Sequence, residues 1–564
     1  MVDSRRPRMT TVPDLLDRRA VDSPDQGVAF PDARMTYPEL AAASRDAARA
    51  LHALGVRAGD SVGLLLPGRL DSVLWWLAAA RIGAVTVPVN VRLKARELAY
   101  MIENADMTVL LAAAELAPVL DEALPDGAAP QLRAIVSLDD DTPPGWMPRA
   151  DLEAVLSTEA DVATAQSAID PADPVVMLYT SGTTSRPRGC LHSHASLVEE
   201  GEAVTERLGL RPDDRFWTPL PMFHCGGFDV AMSALAGRCG MVHVGTFEPG
   251  RALAQLAGER CTVGFPAFDT IWVPVLDHPA FPDTDLSALR MVLNVGSPER
   301  MRSMQARLPH VVQMSCTGST ESFGFCCMGS PDDPADVRAT TCGRPLRHMQ
   351  ARVVDPDTGV DVPAGTPGEF RFRGGSRFLR YHRDDALTAE RIDVDGWFSS
   401  GDLVVADAEG RVAFVSRLKD MLKVGGENVA AAELEGFLGE HPAVGLVQVV
   451  AAPDAHYGEV PAAFVQLRAG AEATEDELIA FCRGTIAGFK VPRYVRFVDE
   501  WPMSGTKVQK FRLRDRLAAE LAAGGVTGPH VPPPRDPRLT PGKLTANSSE
   551  ATVQSQPGVP STGR

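Results

Sequence analysis

Residues 179–189 read Tyr-Thr-Ser-Gly-Thr-Thr-Ser-Arg-Pro-Arg-Gly. Thr180, Ser181, Gly182, Thr183 and Thr184 crowd hydroxyls around one glycine, and Arg186 and Arg188 flank Pro187. Glycine lets backbone N–H groups approach an anion, hydroxyls donate hydrogen bonds, and arginine neutralises charge. That chemistry is phosphate binding. The run is not the common P-loop, which needs Gly-x-x-x-x-Gly-Lys-Ser/Thr, because Pro187 stands where the second glycine would fall. A flexible surface loop is the plain alternative for such a run. The flanks favour phosphate: the apolar run 174–179 predicts a buried strand leading in, and a helix should start near Ser193-His194-Ala195. Strand, loop and helix start together make a cradle.

The elements upstream must position that cradle. Thr36-Tyr-Pro-Glu-Leu opens a helical pattern that runs to Leu54 and closes at Gly55. Strands follow at 61–66, 84–89 and 107–112, with helices at 71–82 and 95–104 between them. This alternation is the rhythm of a parallel α/β sheet. Residues 113–170, rich in Asp, Ala and Pro, carry little pattern. A β-rich stretch covers 350–354 and 368–373, and helix and strand alternate from about 421 to 500. From about 523 the chain is rich in Gly, Pro, Ser, Thr and Gln, the composition of a disordered tail.

Bulk numbers narrow the function. A chain of 564 residues is too long for one ordinary core, so two or more domains are expected. With 45% hydrophobic residues and a net charge of −17, it reads as globular, with neither nucleic acid nor an anionic membrane as main partner. No run of 18 apolar residues occurs, and the basic start Met1–Arg8 lacks the apolar core of a secretory signal. Nine cysteines include no Cys-x-x-Cys pair, which predicts a reducing cytoplasm rather than a disulfide framework or zinc site.

The cradle resembles the signature Tyr-Thr-Ser-Gly-Thr-Thr-Gly-x-Pro-Lys-Gly of the adenylate-forming superfamily, whose members include acyl-CoA synthetases, coumarate–CoA ligases, luciferases and peptide-synthetase adenylation domains. Ser185 and Arg188 replace its second glycine and its lysine; arginine keeps the charge but not the geometry. Further motifs follow in the family's order over residues 10–515. Leu220-Pro-Met-Phe-His224-Cys-Gly-Gly227 resembles the segment lining the carboxylate pocket. Gly296-Ser297-Pro298 resembles the segment bordering adenine. Thr317-Gly318-Ser319-Thr320-Glu321 resembles Tyr-Gly-x-Thr-Glu with the tyrosine lost. Gly396-Trp-Phe-Ser-Ser-Gly-Asp402 resembles Gly-Trp-x-x-Thr-Gly-Asp.

The resemblance implies an α/β fold: a large N-terminal domain of parallel α/β subdomains and a small β-barrel (1–418), a small mobile α+β domain (419–520) and a disordered tail (521–564). It implies an ATP-dependent acid–CoA ligase, with ATP and CoA as co-substrates and Mg²⁺ as cofactor. Thr180–Thr184 and Arg188 would hold phosphates, Thr320 the α-phosphate and Glu321 the metal; one carboxylate suffices for Mg²⁺. Gly296–Pro298 and Thr317–Ser319 would border the base. Asp402 and Arg417 would hold the ribose, as acidic residues do in other nucleotide folds. Lys419 would be the hinge, and Lys423, Gly425 and Gly426 would meet CoA. Lys507, in Pro502-Met-Ser-Gly-Thr-Lys507-Val-Gln-Lys510, would be the catalytic lysine across a one-residue gap, with Lys510 the fallback and Thr184 and Glu321 its catalytic companions.

Phe223, His224, Gly227, Phe228, Met232 and Phe268, with Phe265 and Trp272, would wall a pocket for an aliphatic, alicyclic or aromatic acid. Asp229 would face an amino group in amino-acid-activating relatives, or else stand as a helix N-terminal charge. Each motif alone has a plain reading: a structural histidine for His224, a helix-capping turn for 317–321, a turn residue for Asp402, and exposed lysines for Lys507 and Lys510. An enzyme that passes its acyl-adenylate to an amine or a carrier-protein thiol is the alternative, and a non-catalytic nucleotide binder a third reading. The expected partners are small molecules, and a homodimer is compatible with the chain.

Overall fold

The computed structural model describes residues 10–125, 129–180, 187–418, 421–424, 427–454, 457–483, 485–504 and 507–523. Ser181, Gly182, Thr183, Thr184, Lys419, Gly425, Gly426 and residues 524–564 therefore lie outside the described residues.

Two large sheets carry the N-terminal part. In the first, Val85–Pro88, Ser61–Leu65, Met107–Ala112, Ala134–Ser137 and Met147–Pro148 run parallel, and Pro174–Thr180 extends them through Val85–Pro88. Beyond Pro174–Thr180 the sheet turns antiparallel, adding Arg188–Ser193 and then Arg380–Tyr381. The second orders Val312–Met314, Met291–Val295, Val263–Phe268, Arg215–Thr218, Gly240–His243 and Gly27–Ala29 in parallel, with Arg34–Thr36 antiparallel at the edge.

The helices packed with these sheets are apolar because they are surrounded. Every residue of Asp71–Arg81 is buried, and nearly every residue of Cys225–Gly237; helices apolar all round belong in a core. Their close fit depends on small residues: a Cβ on Gly201 would fall 2.6 Å from the Met232 carbonyl oxygen. Arg81 is fully buried at its helix end, and Asp17 (2.7 Å), Ser44 and Gln166 satisfy its guanidinium. The helix Tyr37–Ala53 starts as its sequence implies. Thr36 caps Glu39 N–H, the Glu39 carboxylate reaches back to Thr36 N–H, and Pro38 occupies the first turn.

The β-rich stretch is antiparallel, ordered Met349–Val354, Pro367–Gly374, Phe398–Ala406 and Val412–Arg417. Its ladders among the described residues form an open path rather than a closed barrel.

The C-terminal part has a core of its own, including Leu422, Val429, Leu434, Val449, Phe464 and Leu517. Strands Met421–Val424, Glu427–Ala430, Val444–Asp454, Gly458–Leu467 and Tyr494–Phe497 form its sheet, with helices Ala431–Gly439, Glu475–Cys482 and Lys510–Ala522. The last of these helices runs to Ala522. Arg300 joins the two parts. Its guanidinium pairs with Asp269 (3.1 Å) and donates to the Gly445 carbonyl (2.7 Å). No helix among the described residues is long and apolar enough to cross a membrane.

Candidate active site

The strands on either side of the cradle, Pro174–Thr180 and Arg188–Ser193, pair as an antiparallel hairpin, so the chain does not pass from strand straight into helix. Thr180 pairs across to Arg188, Tyr179 to Gly189 and Leu178 to Cys190. The helix His194–Leu208 starts only after this second strand, at the capping hydroxyl of Ser193. The strand was not evident in the sequence because Gly-Cys-Leu-His carries no polar–apolar alternation. Two phenols fix the base of the hairpin. Tyr179 donates to the Asn104 side chain (2.6 Å) and Tyr100 to the Pro187 carbonyl (3.1 Å).

Residues 317–324 form a tight turn against that hairpin. Ser319 caps the short 3₁₀ turn Thr320–Ser322 through Glu321 N–H (3.2 Å), while the Ser322 hydroxyl accepts from Ser319 N–H (2.9 Å). Gly318 is required here, since a Cβ would fall 2.0 Å from the Gly324 carbonyl oxygen. The capping turn expected as the plain reading of this motif is present. His192, fully buried behind the turn, stacks edge-on to Phe323 at 5.1 Å. Burial lowers its pKa to about 3, opposed by a backbone contact at Thr320, so the ring is neutral at working pH.

A segment absent from the sequence reading, 378–382, ties turn and hairpin together. Phe378 N–H donates to the Glu321 carbonyl (2.8 Å) and the Tyr381 hydroxyl to the Glu321 carboxylate (2.8 Å). On its other side Leu379 and His382 N–H donate to the Leu191 and Gly189 carbonyls, each at 2.7 Å. Burial, then the Glu321 carboxylate, pushes the Tyr381 phenol above its ordinary range, so it is a donor. No local sequence signal marks Tyr381, because its partner lies sixty residues away in the chain.

The structure brings Asp402 and Arg417 directly together. They are cross-strand partners, with Arg417 Nε 2.7 Å from Asp402 Oδ1. Ser400 supports the pair from below: its hydroxyl accepts from Asp402 N–H (3.0 Å) and donates to the Phe370 carbonyl (2.6 Å). Ser297 caps the helix Pro298–Arg307, which leaves Gly296 at the end of the strand Met291–Val295. Gly436 of the C-terminal part approaches Ser297 Cβ to within 3.9 Å of where its own Cβ would stand.

The acyl side differs from expectation at several positions. Phe228 is fully buried with its ring edge-on to Trp76 at 4.9 Å, and Met232 is buried against Gly201. Both are core residues in this structure rather than pocket wall, because the helix Cys225–Gly237 is enclosed on all sides. Trp272 likewise packs with Trp217, ring centroids 6.3 Å apart, in a separate core cluster. Phe223, His224 and Phe268 are half-buried, with the His224 ring 4.8 Å from Phe223. Gly227 lies close under Pro221 and Met222, where a Cβ would meet the Pro221 carbonyl at 2.9 Å.

Asp229 is not a surface helix charge. It is 1% exposed, and a Cβ on Gly324 (φ +119°) would fall 1.7 Å from its Oδ2. Neither carboxylate oxygen has a hydrogen-bond partner among the described residues. Glu200, also fully buried, adds like charge; His348 Nε2 lies 2.9 Å from a Glu200 oxygen. Burial, then this like charge, raises the Asp229 pKa well above the carboxylate range.

Lys507 is on a short two-stranded hairpin, opposite Ser504. Lys510 starts the final helix, its ammonium 2.6 Å from Glu435. Lys423 pairs with Asn428 between the strands Met421–Val424 and Glu427–Ala430.

Among the described residues no three His, Cys, Asp or Glu side chains gather into a metal cage. Glu321, with one oxygen engaged by Tyr381, suits instead a cation completed by substrate phosphates and water, as Mg²⁺ is.

Comparison with known proteins identifies the family. The AMP-binding enzyme model matches residues 16–382, and the AMP-binding enzyme C-terminal domain model matches 433–507. A Mycobacterium tuberculosis CoA ligase for a propanoyl-substituted methyl-dioxo-octahydroindene is 35% identical over 519 residues, 90% of this chain and 99% of that protein. The structure of anthranilate CoA ligase AuaEII with anthranoyl-AMP matches with a TM-score of 0.83 at 26% identity, over 92% of this chain and 99% of that one. The amide bond synthetase McbA of Marinactinospora thermotolerans matches with a TM-score of 0.77 at 28% identity, over 89% and 99%. With its fold, its ordered motifs and both models in agreement, the chain belongs to the AMP-binding enzyme family.

Proposed function

We propose that the protein is an AMP-forming acid–CoA ligase acting on a non-amino carboxylic acid, aliphatic, alicyclic or aromatic. The observation that carries this reading is the junction of segment 378–382, which fastens Glu321 to the strand bearing Arg188. A hydroxyl- and arginine-bearing hairpin beside a single held carboxylate is the equipment for an ATP polyphosphate with its cation.

In the first half-reaction a substrate carboxylate oxygen attacks the α-phosphorus of ATP and pyrophosphate leaves. In the second a thiol attacks the acyl carbon, forming the thioester and releasing AMP. Neither step requires a covalent enzyme intermediate, so the chain contributes position and charge. Thr180–Thr184 and Arg188 hold phosphates, and Thr320 faces the α-phosphate. Asp402 accepts from the ribose hydroxyls, with Arg417 fixing its carboxylate. Gly296–Pro298 and Thr317–Ser319 border the base. Lys507 bridges the substrate carboxylate and the α-phosphate. Glu321 would hold Mg²⁺, which when bound offsets polyphosphate charge. A division at 418/419, with Lys419 as hinge, lets Lys507 leave and Lys423–Gly426 approach CoA. His224, Phe223, Gly227 and Phe268 border the acid. A reducing cytoplasm is the proposed setting, and a homodimer the proposed assembly.

The likeness to an amide bond synthetase favours a second reading, in which the adenylate passes to an amine. A non-catalytic role predicts no acid-dependent pyrophosphate release from ATP, and that assay separates it from both.

The ribose assignment has its own test. Asp402→Ala should raise KM for ATP about tenfold or more, the worth of hydrogen bonds to a charged group, and leave KM for the acid unchanged. Steady-state kinetics with each substrate varied in turn measures both, and equal rises would remove the assignment.

A further inference from the structure

We propose that Tyr381 is a positioning residue that holds Glu321 ready to bind Mg²⁺–ATP through a single oxygen; this rests on the reading of Glu321 as the metal-facing carboxylate.

Tyr381 is 3% exposed, on the two-residue strand Arg380–Tyr381 that pairs with Leu191 and Cys190. Its ring packs edge-on against Phe378 at 4.7 Å. Its own N–H donates to the Thr388 hydroxyl (3.1 Å), which donates onward to the Asp384 carbonyl (2.8 Å). The phenol is therefore fixed by ring packing, strand pairing and a backbone hydrogen bond before it meets Glu321. Its hydroxyl then donates to Glu321 Oε1 at 2.8 Å.

A free glutamate side chain has three rotatable bonds, and ordering it costs rotamer entropy. The phenol removes that freedom in advance. It also occupies one carboxylate oxygen, so a cation meets a one-oxygen ligand. Mg²⁺ demands near-octahedral geometry with several waters and phosphate oxygens, whereas Ca²⁺ accepts bidentate carboxylates and higher coordination. Engaging Oε1 therefore favours the smaller ion. Outer hydrogen-bond partners of metal ligands are worth about 10–100-fold in metal affinity. The same segment bonds to the Gly189 and Leu191 carbonyls, so the carboxylate is held in register with the strand bearing Arg188.

The test is calorimetric titration of ATP into the full chain, with Mg²⁺, with Ca²⁺ and with chelator alone. Tyr381→Phe should weaken Mg²⁺–ATP binding about tenfold, weaken Ca²⁺–ATP binding less, and leave metal-free ATP binding unchanged. In a Glu321→Gln background it should have no further effect. Equal weakening with and without metal would make Tyr381 merely structural and overturn the proposal, as would unchanged Mg²⁺–ATP affinity. If Glu321→Gln itself leaves Mg²⁺–ATP binding at the wild-type value, the reading of Glu321 fails instead. Should Tyr381→Phe not fold, as judged by thermal melting, Thr388→Val serves. It keeps the phenol but removes the acceptor for the Tyr381 N–H, and should show a smaller loss confined to Mg²⁺–ATP; no metal-specific loss would overturn the proposal.

Discussion

Replacing Lys507 by alanine should cut acyl-adenylate formation by about 10²–10³-fold, the cost of removing one preorganised group from developing transition-state charge. Thioester formation from supplied acyl-adenylate should persist, because that step no longer needs charge at the α-phosphate. Two lysines compete for the role, separated by two residues. Lys510 is held within the C-terminal part: its ammonium lies 2.6 Å from Glu435, whose same oxygen accepts from Val449 N–H at 2.6 Å. Lys507 pairs with Ser504 on a short two-stranded ladder, with two residues between it and the helix Lys510–Ala522. Rapid-quench measurement of adenylate with each variant checks this. Loss of adenylation in Lys510→Ala alone would mean that the one-residue gap before Lys507 has been bridged wrongly.

Asp229→Asn should stabilise the protein relative to wild type by an amount that grows as pH rises. Burial, and then Glu200, raises the Asp229 pKa well above its unfolded value of about 3.9. The folded state therefore keeps a proton that the unfolded chain releases. Below about pH 4 both states are protonated and the group contributes no pH dependence. Above that value folding is penalised by up to about 1.4 kcal/mol per pH unit, until the folded pKa is reached. Asparagine removes the penalty with little change of shape. Asp17 and Asp214 act in the opposite sense. Despite the burial that opposes it, hydrogen bonds and charge from Arg81 and Arg290 hold their carboxyls low, giving stability that is lost as pH falls. Because those terms are common to both proteins, they cancel in the difference. Urea unfolding at pH values rising from about 4 should show the variant gaining on wild type until the folded pKa is passed. A difference that does not change with pH would show that Asp229 is ionised in the folded state.

These two residues mark what a sequence can and cannot convey. The expectation for Lys507 rests on the ordered set of short motifs around it. Asp229 left two readings open, a partner for a substrate amino group or a helix-end charge, and neither foresaw its burial against Gly324, almost a hundred residues on. Local chemistry conveyed the helix Tyr37–Ala53, whose capping box and first-turn proline are adjacent in the chain. It conveyed equally the strands Ser61–Leu65 and Met107–Ala112, which are continuous apolar runs between helices. Residues 113–170 gave no reading because their elements are short and weakly patterned; in the helix Glu159–Ser167 only Val162 is buried. Phe228 and Trp272 were placed in a pocket wall through the resemblance of the segments around them, but an aromatic side chain serves a core equally well. The Tyr381 contact was invisible for the same reason as Asp229, being made entirely by long-range pairing.

The central claim is that the chain activates a carboxylic acid with ATP and passes it to CoA. Mass spectrometry of products after incubation with Mg²⁺–ATP and a panel of aliphatic, alicyclic and aromatic acids, with and without CoA, tests it most directly. AMP and acyl-CoA are expected for one chemical class when CoA is present, and acyl-adenylate for the same class when it is absent. Acyl-adenylate that accumulates with CoA present, with no acyl-CoA from any acid, would contradict it and point to an amine or a carrier-protein thiol as the acceptor.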